Sequence, residues 1–171
     1  MRKILSLFFV AIFSGTLLLS LPGCSYSLGN RGKLPFATIE IAPIVNNADL
    51  PQAQAMLARE IADALMATPK LNVVIENAAA ELQVVISDYR RNIAATSSED
   101  SMIANVQNLT LELDCSLLNT RSGKYFFRNR KISVSTDVYT GAAAGLGETQ
   151  SFPTLAREAA RKVRDLIVNV W

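Results

Sequence analysis

The sequence predicts an α+β fold: a single-domain two-layer sandwich, with a mixed sheet of about four strands and two helices packed on one face. Three observations carry this prediction. Leu109, Leu111, Leu113, Cys115 and Leu117 alternate with Asn108, Thr110, Glu112, Asp114 and Ser116, the period-two signature of a strand with one buried and one wet face. The segments that follow Pro51 and Ser151 instead repeat apolar residues at spacings of three and four, as helices with one buried stripe do. The order along the chain is strand, helix, several strands, helix, which lets both helices cover one face of a shared sheet.

The N-terminus precedes this fold and reads differently. Met1-Arg2-Lys3 is a short positive flank, and Ile4 to Leu21 contains nothing more polar than serine and threonine. That is the layout of a secretory signal peptide. An uncleaved anchor is the alternative, since about 18 apolar residues approach the length that spans a bilayer. Pro22 and Gly23 end the run, and no basic cluster follows before Arg31. Leu21-Pro22-Gly23-Cys24 then resembles the lipobox of bacterial lipoproteins, whose cysteine is linked to diacylglycerol and becomes the acylated first residue of the mature chain. Residues 1–23 are thus read as a cleaved signal, 24–35 as a lipidated N-terminus and spacer, and 36–171 as the domain. Acyl chains at Cys24 would hold the protein on a membrane. Ser25 and Tyr26 follow Cys24 with no aspartate beside it, which by resemblance to bacterial sorting patterns implies the outer membrane.

Within the domain, Phe36 to Val45 alternates as a strand ended by Pro43, and Asn46-Asn47-Ala48-Asp49 supplies a turn. Pro51 sits where proline suits the first turn of a helix, whose apolar stripe is Leu57, Ile61, Ala64 and Leu65 and whose stop is Thr68-Pro69. Leu71 to Ile75 is a short strand. In the next strand Leu82, Val84 and Ile86 lie on one face, with Gln83, Ser87 and Tyr89 on the other. Asn119-Thr-Arg-Ser-Gly123 reads as a five-residue hairpin loop. Setting Leu118 against Lys124 places Asp114 opposite Arg128 and Glu112 opposite Arg130. Beyond Lys131 the apolar parity changes to Ile132, Val134 and Val138, so a β-bulge is predicted near residues 129 to 132. Gly141 to Gly147 reads as a flexible loop before a last helix opening at Ser151-Phe-Pro153.

Composition narrows the function. Removing the signal takes out Arg2 and Lys3 and no acid, so the mature chain carries acids and bases in balance and bulk attraction to nucleic acid is not supported. The chain has no histidine, which removes the commonest general base and metal ligand. No phosphate-cradling glycine motif is present. No cofactor is expected, and no enzymatic activity. Asp88, Glu112 and Asp114 would be the acids of a hydrolase, but nothing in their spacing fixes a catalytic separation. Cys115, in the apolar row of its strand, reads as a buried free thiol rather than a partner for Cys24.

The candidate ligand-binding residues are basic. Arg121, Lys124, Arg128, Arg130 and Lys131 crowd into eleven residues without an acid, and Arg90 and Arg91 end an earlier strand. Guanidinium groups bind phosphates through paired hydrogen bonds, so together they could receive a phosphorylated ligand. The competing reading is ordinary ion pairing, with Asp114 and Glu112 opposite Arg128 and Arg130.

The run "CSYSLGNRGKLPFATIEIAPIVNN", then "ISDYRRNIAAT", "LTLELDCSLLNTRSGKYFF" and the closing "LAREAARKVRDLI" resembles the lipopolysaccharide-assembly lipoprotein family, LptE, over residues 24 to 171. The resemblance implies a non-enzymatic plug and folding partner inside an outer-membrane β-barrel, the translocon subunit, and a binder of lipopolysaccharide. It matches the lipid-binding role loosely to Arg90, Arg91 and the 121 to 131 cluster. "IEIAPIVNN" would also suit periplasmic lipoproteins that activate peptidoglycan synthases or take part in curli-type secretion.

Overall fold

The computed structural model describes residues 34–48, 50, 53–95, 105–140 and 144–169. In chain order its elements are β1 (Thr38–Ile41), β2 (Val45–Asn46), α1 (Ala53–Met66), β3 (Asn72–Val73), β4 (Ala80–Ala95), β5 (Asn105–Asn119), β6 (Tyr125–Thr140) and α2 (Ala144–Val168). The expected signal, Cys24 and Pro51 lie outside the described residues. No described helix is long and apolar enough to cross a membrane.

The α+β class is as the sequence reads, and the sheet is mixed. Its order is β3-β1-β4-β5-β6, with β2 also on β4. β1, β2 and β3 pair in parallel, and β4, β5 and β6 form an antiparallel meander. Six strands replace the expected four or so. Pro43, which has no N–H to give a ladder, splits the first strand instead of ending it: β1 runs beside Ala80 to Leu82, and the chain rejoins β4 at Val85 and Ile86 as β2.

The apolar row of β5 is the centre of the core. Leu109, Leu111, Leu113, Cys115 and Leu117 are all buried, packed with Leu82, Val84 and Ile86 of β4 and Val134 of β6. The helices cover this face: of the stripe predicted for α1, Leu57, Ile61 and Leu65 are buried, joined by Ala53, while Ala64 is half-buried, and α2 buries Leu155, Ala156, Ala159, Val163 and Ile167. An Arg157–Glu60 ion pair at 3.4 Å joins the two helices at their surface.

Two expectations about regular structure need correction. α2 begins at Ala144, so the second half of the expected loop is helical and Pro153 lies inside the helix. A proline removes one backbone donor, and the helix nonetheless runs on across it to Val168. Tyr89 does not share a face with Gln83. β4 is bulged at Ser87, between the pairs Ile86–Leu113 and Asp88–Glu112, and the extra residue turns Tyr89 to the side of Leu111. The Ser87 hydroxyl closes the bulge by donating to the Glu112 carbonyl at 3.1 Å.

Candidate functional site

The β5–β6 hairpin carries most of the candidate cations, and its tip is built on Asn119. The Asn119 N–H donates to the Lys124 carbonyl at 2.8 Å, and its carbonyl accepts from Gly123 at 2.9 Å. Its side-chain Oδ1 accepts the N–H groups of Arg121 and Ser122 at 3.0 and 3.1 Å, an asparagine turn that fixes the loop. Gly123 has φ +66°, the left-handed conformation glycine adopts without cost. The loop therefore spans 120–124, one residue later than expected. Arg121 and Lys124 project from it, fully on the surface.

The register below the tip also differs from the expected one. Leu118 faces Tyr125, Leu117 faces Phe127, Cys115 faces Arg130 and Asp114 faces Lys131, with ladder irregularities on both sides of Leu117. The first extra residue is Phe126. The second displacement falls at Arg128 and Asn129, and Asn129 takes φ +51°. A bulge was expected by parity over 129 to 132, and Asn129 lies in that window. Asparagine is the non-glycine residue that best tolerates this backbone.

This register removes the anticipated Asp114–Arg128 and Glu112–Arg130 ion pairs. Asp114 lies opposite Lys131 and Glu112 opposite Ser133. A loop set one residue later and two extra residues in β6 together slide the cations three places past the acids, a slip that parity alone could not count. Glu112 is bound instead by Arg90, which also pairs with Asp88 at 3.4 Å. Arg90 is thus neutralised by two acids, and Asp88 and Glu112 serve as its partners. Arg121, Lys124, Arg128, Arg130 and Lys131 make no ion pair with any described residue.

The candidate cations do not form one patch. Arg90 lies on the open face beside Thr110, whereas Arg91, one residue on, falls opposite Leu109 with its guanidinium 5.9 Å from the Tyr89 ring. Both sit near the far end of β4 from the tip, since Ala80 and not Arg90 faces Asn119. At about 3.3 Å per residue that is roughly 30 Å away. On β6, Arg128 stacks on the ring of Tyr125 with its guanidinium carbon 4.2 Å from the centroid, a cation–π contact that leaves its hydrogen-bond donors available. Arg130 and Lys131 continue along the same exposed edge strand. Lys162 of α2 caps that edge lower down by donating to the Ser133 carbonyl at 2.8 Å.

The hairpin tip is stitched to the start of the domain. Thr120 donates its hydroxyl to the Ala78 carbonyl and its N–H to the Ala79 carbonyl at 3.2 Å, and the Ala79 N–H donates to Thr38 Oγ1 at 2.9 Å. Phe36 and Phe126 meet with ring centroids 5.4 Å apart. An open groove of about 510 Å³ lies here, lined by Pro35, Phe36, Ala37 and Thr38 on one side and Asn119, Arg121 and Ser122 on the other. The sequence signals a basic hairpin, but this juxtaposition depends on sheet order and is not encoded locally.

Two buried groups complete the description. Cys115 is a free thiol, and burial, with the charge of Asp114 added, pushes its pKa up to about 12. It packs as an apolar side chain. Asp114 Oδ1 is buried with no hydrogen-bond partner among the described residues. No group of three or more metal-ligating residues occurs among the described residues.

Comparison with known proteins gives a consistent result. The family model described as LptE, lipopolysaccharide-assembly, matches residues 36–170. No curated protein matches the sequence significantly. Among solved structures, the fold is similar to that of a protein described as a lipoprotein from Caulobacter crescentus CB15, 22% identical, with a TM-score of 0.51 over 74% of this chain and 88% of that one. It is likewise similar to lipoprotein B from Nitrosomonas europaea, 15% identical, with a TM-score of 0.52 over 82% of this chain and 86% of the other. A Xanthomonas campestris protein, 13% identical, gives 0.55 over 81% and 88%. At these identities the likeness is one of fold.

Proposed function

The chain belongs to the lipopolysaccharide-assembly family LptE, and on that premise we propose that it is a non-enzymatic outer-membrane lipoprotein, anchored through acylated Cys24, that occupies the lumen of a β-barrel translocon and meets lipopolysaccharide there. One observation supports the ligand half of this reading above the others. The hairpin cations Arg121, Lys124, Arg128, Arg130 and Lys131 have no acid partner among the described residues. Unpaired guanidinium and ammonium groups on a rigid hairpin suit the phosphates of lipid A and the inner core, which a guanidinium can grip through two hydrogen bonds. Arg130, on the side of Cys115, and Lys131, on the side of Asp114, flank the exposed edge of β6, which is the centre of the proposed contact. Arg90 is withdrawn from it, because Asp88 and Glu112 already hold it.

The build of the domain supports the barrel half. Its sheet has one face covered by helices and one face lined by Asn108, Thr110, Glu112 and Ser133, a polar surface suited to the hydrated interior of a large barrel. A tether at Cys24 would keep the domain beside that barrel.

The deciding experiment is affinity capture of the tagged protein from detergent-solubilised outer membrane, with mass identification of stoichiometric partners. Co-purification of a large heat-modifiable β-barrel supports the proposal. Recovery of a peptidoglycan synthase, a secretion component or homo-oligomers alone sinks it.

A further inference from the structure

β6 is the last strand on one side of the sheet, and from Lys131 to Thr140 it pairs with β5 without a break in register. We infer that its outer side over Ser133 to Asp137 receives an extended segment of the barrel partner, added to the sheet as a further strand. The inference rests on the reading of the domain as a plug in a barrel lumen, and it leaves Arg130 and Lys131 to lipopolysaccharide.

Backbone direction supplies the first argument. In an antiparallel ladder alternate residues turn both N–H and C=O toward the neighbouring strand, and the residues between them turn both away. Two hydrogen bonds fix which are which. The Glu112 carbonyl accepts from Ser87 of β4, so it points away from β6, and Ser133 lies opposite Glu112. The Ser133 carbonyl accepts from Lys162, so it points away from β5. Ser133, Ser135 and Asp137 therefore present their backbone N–H and C=O outward. Among the described residues only Lys162 bonds to any of these groups. The three residues are exposed, while Ile132, Val134 and Val138 between and beside them are buried.

The composition of the edge supplies the second. Sheet borders are ordinarily blunted by lysine, proline, a bulge or shortness, because an open strand recruits other chains. At the opposite border β3 is only two residues long. Residues 132–140 of β6 contain no lysine, arginine or proline and no bulge. Their one charge is Asp137, whose Oδ1 accepts from Asn108 at 2.7 Å. Lys162 is the single guard, and it reaches over from α2 on an exposed, flexible side chain that can swing aside. Inside a barrel the edge needs no stronger guard, since the chain that reaches it there is the barrel's own. Ser133 also belongs to the polar sheet face that meets the barrel interior in the proposed function, so the edge continues that contact. The occupant is a proline-free extended run held by main-chain hydrogen bonds, with basic or amide side chains where it passes Asp137.

The test compares the full lipidated chain with its Ser135→Pro variant, each captured by tag from detergent-solubilised outer membrane. Proline is accepted at an edge position whose N–H faces outward. The variant should therefore keep wild-type urea stability and lipopolysaccharide binding, while the barrel recovered with it falls about tenfold or more. A second measurement needs no variant: amide hydrogen exchange of the wild-type chain, alone in detergent and in the captured complex. The Ser133, Ser135 and Asp137 amides should slow by about a hundredfold or more in the complex, whereas those of Val134, Thr136 and Val138, already laddered to β5, change little. If Ser135→Pro does not fold, this alternation decides alone. Full recovery of the barrel by a folded Ser135→Pro, or no slowing at the three outward amides in the complex, overturns the inference and leaves the plug reading intact. Slowing in wild-type protein that brings down only further copies of itself assigns the edge to self-association and overturns it as well. If the wild-type chain captures no barrel, the plug reading fails and the inference fails with it.

Discussion

Asn129 and Ser116 hold each other across the β5–β6 ladder. The Asn129 N–H donates to Ser116 Oγ at 3.0 Å, and the Ser116 hydroxyl lies 3.4 Å from Asn129 Oδ1. Ser116 is the one buried polar residue among those described, at 8% exposure. It is buried because it closes the bulge that Asn129 opens. The bulge in turn sets which face each β6 side chain takes from Arg130 onward, so this pair fixes the placement of the proposed ligand contacts.

Removing either partner should therefore cost stability in a graded way. Ser116→Ala leaves the Asn129 N–H without its acceptor, and about 1–3 kcal/mol of unfolding free energy should be lost. Asn129→Ala keeps the N–H bond but forces an alanine to φ +51°, for roughly 1–2 kcal/mol. Asn129→Gly accepts that backbone and should be the mildest of the three. Urea denaturation of the purified domain ranks them, and a glycine variant less stable than the alanine one would show that backbone strain is not the issue.

Gly123 makes a second, local prediction. A Cβ built there meets nothing within 4 Å, so space does not demand glycine, and only its φ of +66° does. Gly123→Ala should cost about 1–2 kcal/mol, and Gly123→Asn less. The same denaturation series tests this. An alanine variant of unchanged stability would mean the loop re-forms with another turn.

Cys115 should respond to alkali, not to thiol reagents. Its pKa is raised to about 12 in the folded protein, chiefly by burial, while an unfolded cysteine ionises near 9. Between those values the unfolded chain binds fewer protons than the folded one. The stabilisation is complete below pH 9 and is lost as pH climbs toward 12, at a slope of up to about 1.4 kcal/mol per pH unit for one proton. Comparing wild type with Cys115→Ala across that range isolates the slope. At pH 8 the native thiol should stay unmodified by a disulfide reagent until denaturant is added.

Much of this was legible in the sequence because burial writes itself into periodicity. The β5 row and the two helix stripes are long, regular patterns in which a single face is buried, so they survive any local irregularity. Pro43 and Pro153 misled for the same reason in opposite senses. A proline advertises a lost donor, yet whether the chain breaks there depends on the neighbours it finds in three dimensions. Pairing was legible only in part. Parity revealed that β6 changes face near residue 129, because one extra residue inverts the pattern. Two displacements in series, at Phe126 and Asn129, nearly cancel in parity, and so the sequence concealed how far Arg128 and Arg130 slide past Asp114 and Glu112. The meeting of Thr38, Ala79 and Thr120 comes from elements 41 residues apart and leaves no local trace.

The slide of register makes opposite predictions for cations that look alike in the sequence. Arg90 is 52% exposed and tied to two acids, so Arg90→Ala should change unfolding free energy by no more than about 1 kcal/mol. It should also leave lipopolysaccharide binding within about twofold, because a guanidinium already paired brings no uncompensated charge to a phosphate. Arg130→Ala and Lys131→Ala remove cations that make no ion pair with any described residue. Folding should be unaffected, and the double variant should weaken lipopolysaccharide binding by about tenfold or more, at roughly 1 kcal/mol for each charge–phosphate contact. Equilibrium binding of the tagged protein to purified lipopolysaccharide at two salt concentrations separates the cases. The contribution of Arg130 and Lys131 should shrink with salt, while Arg90→Ala stays at wild-type affinity in both. A loss at Arg90 matching that of the double variant would place the ligand on the open face of β4, and the hairpin would no longer be its site.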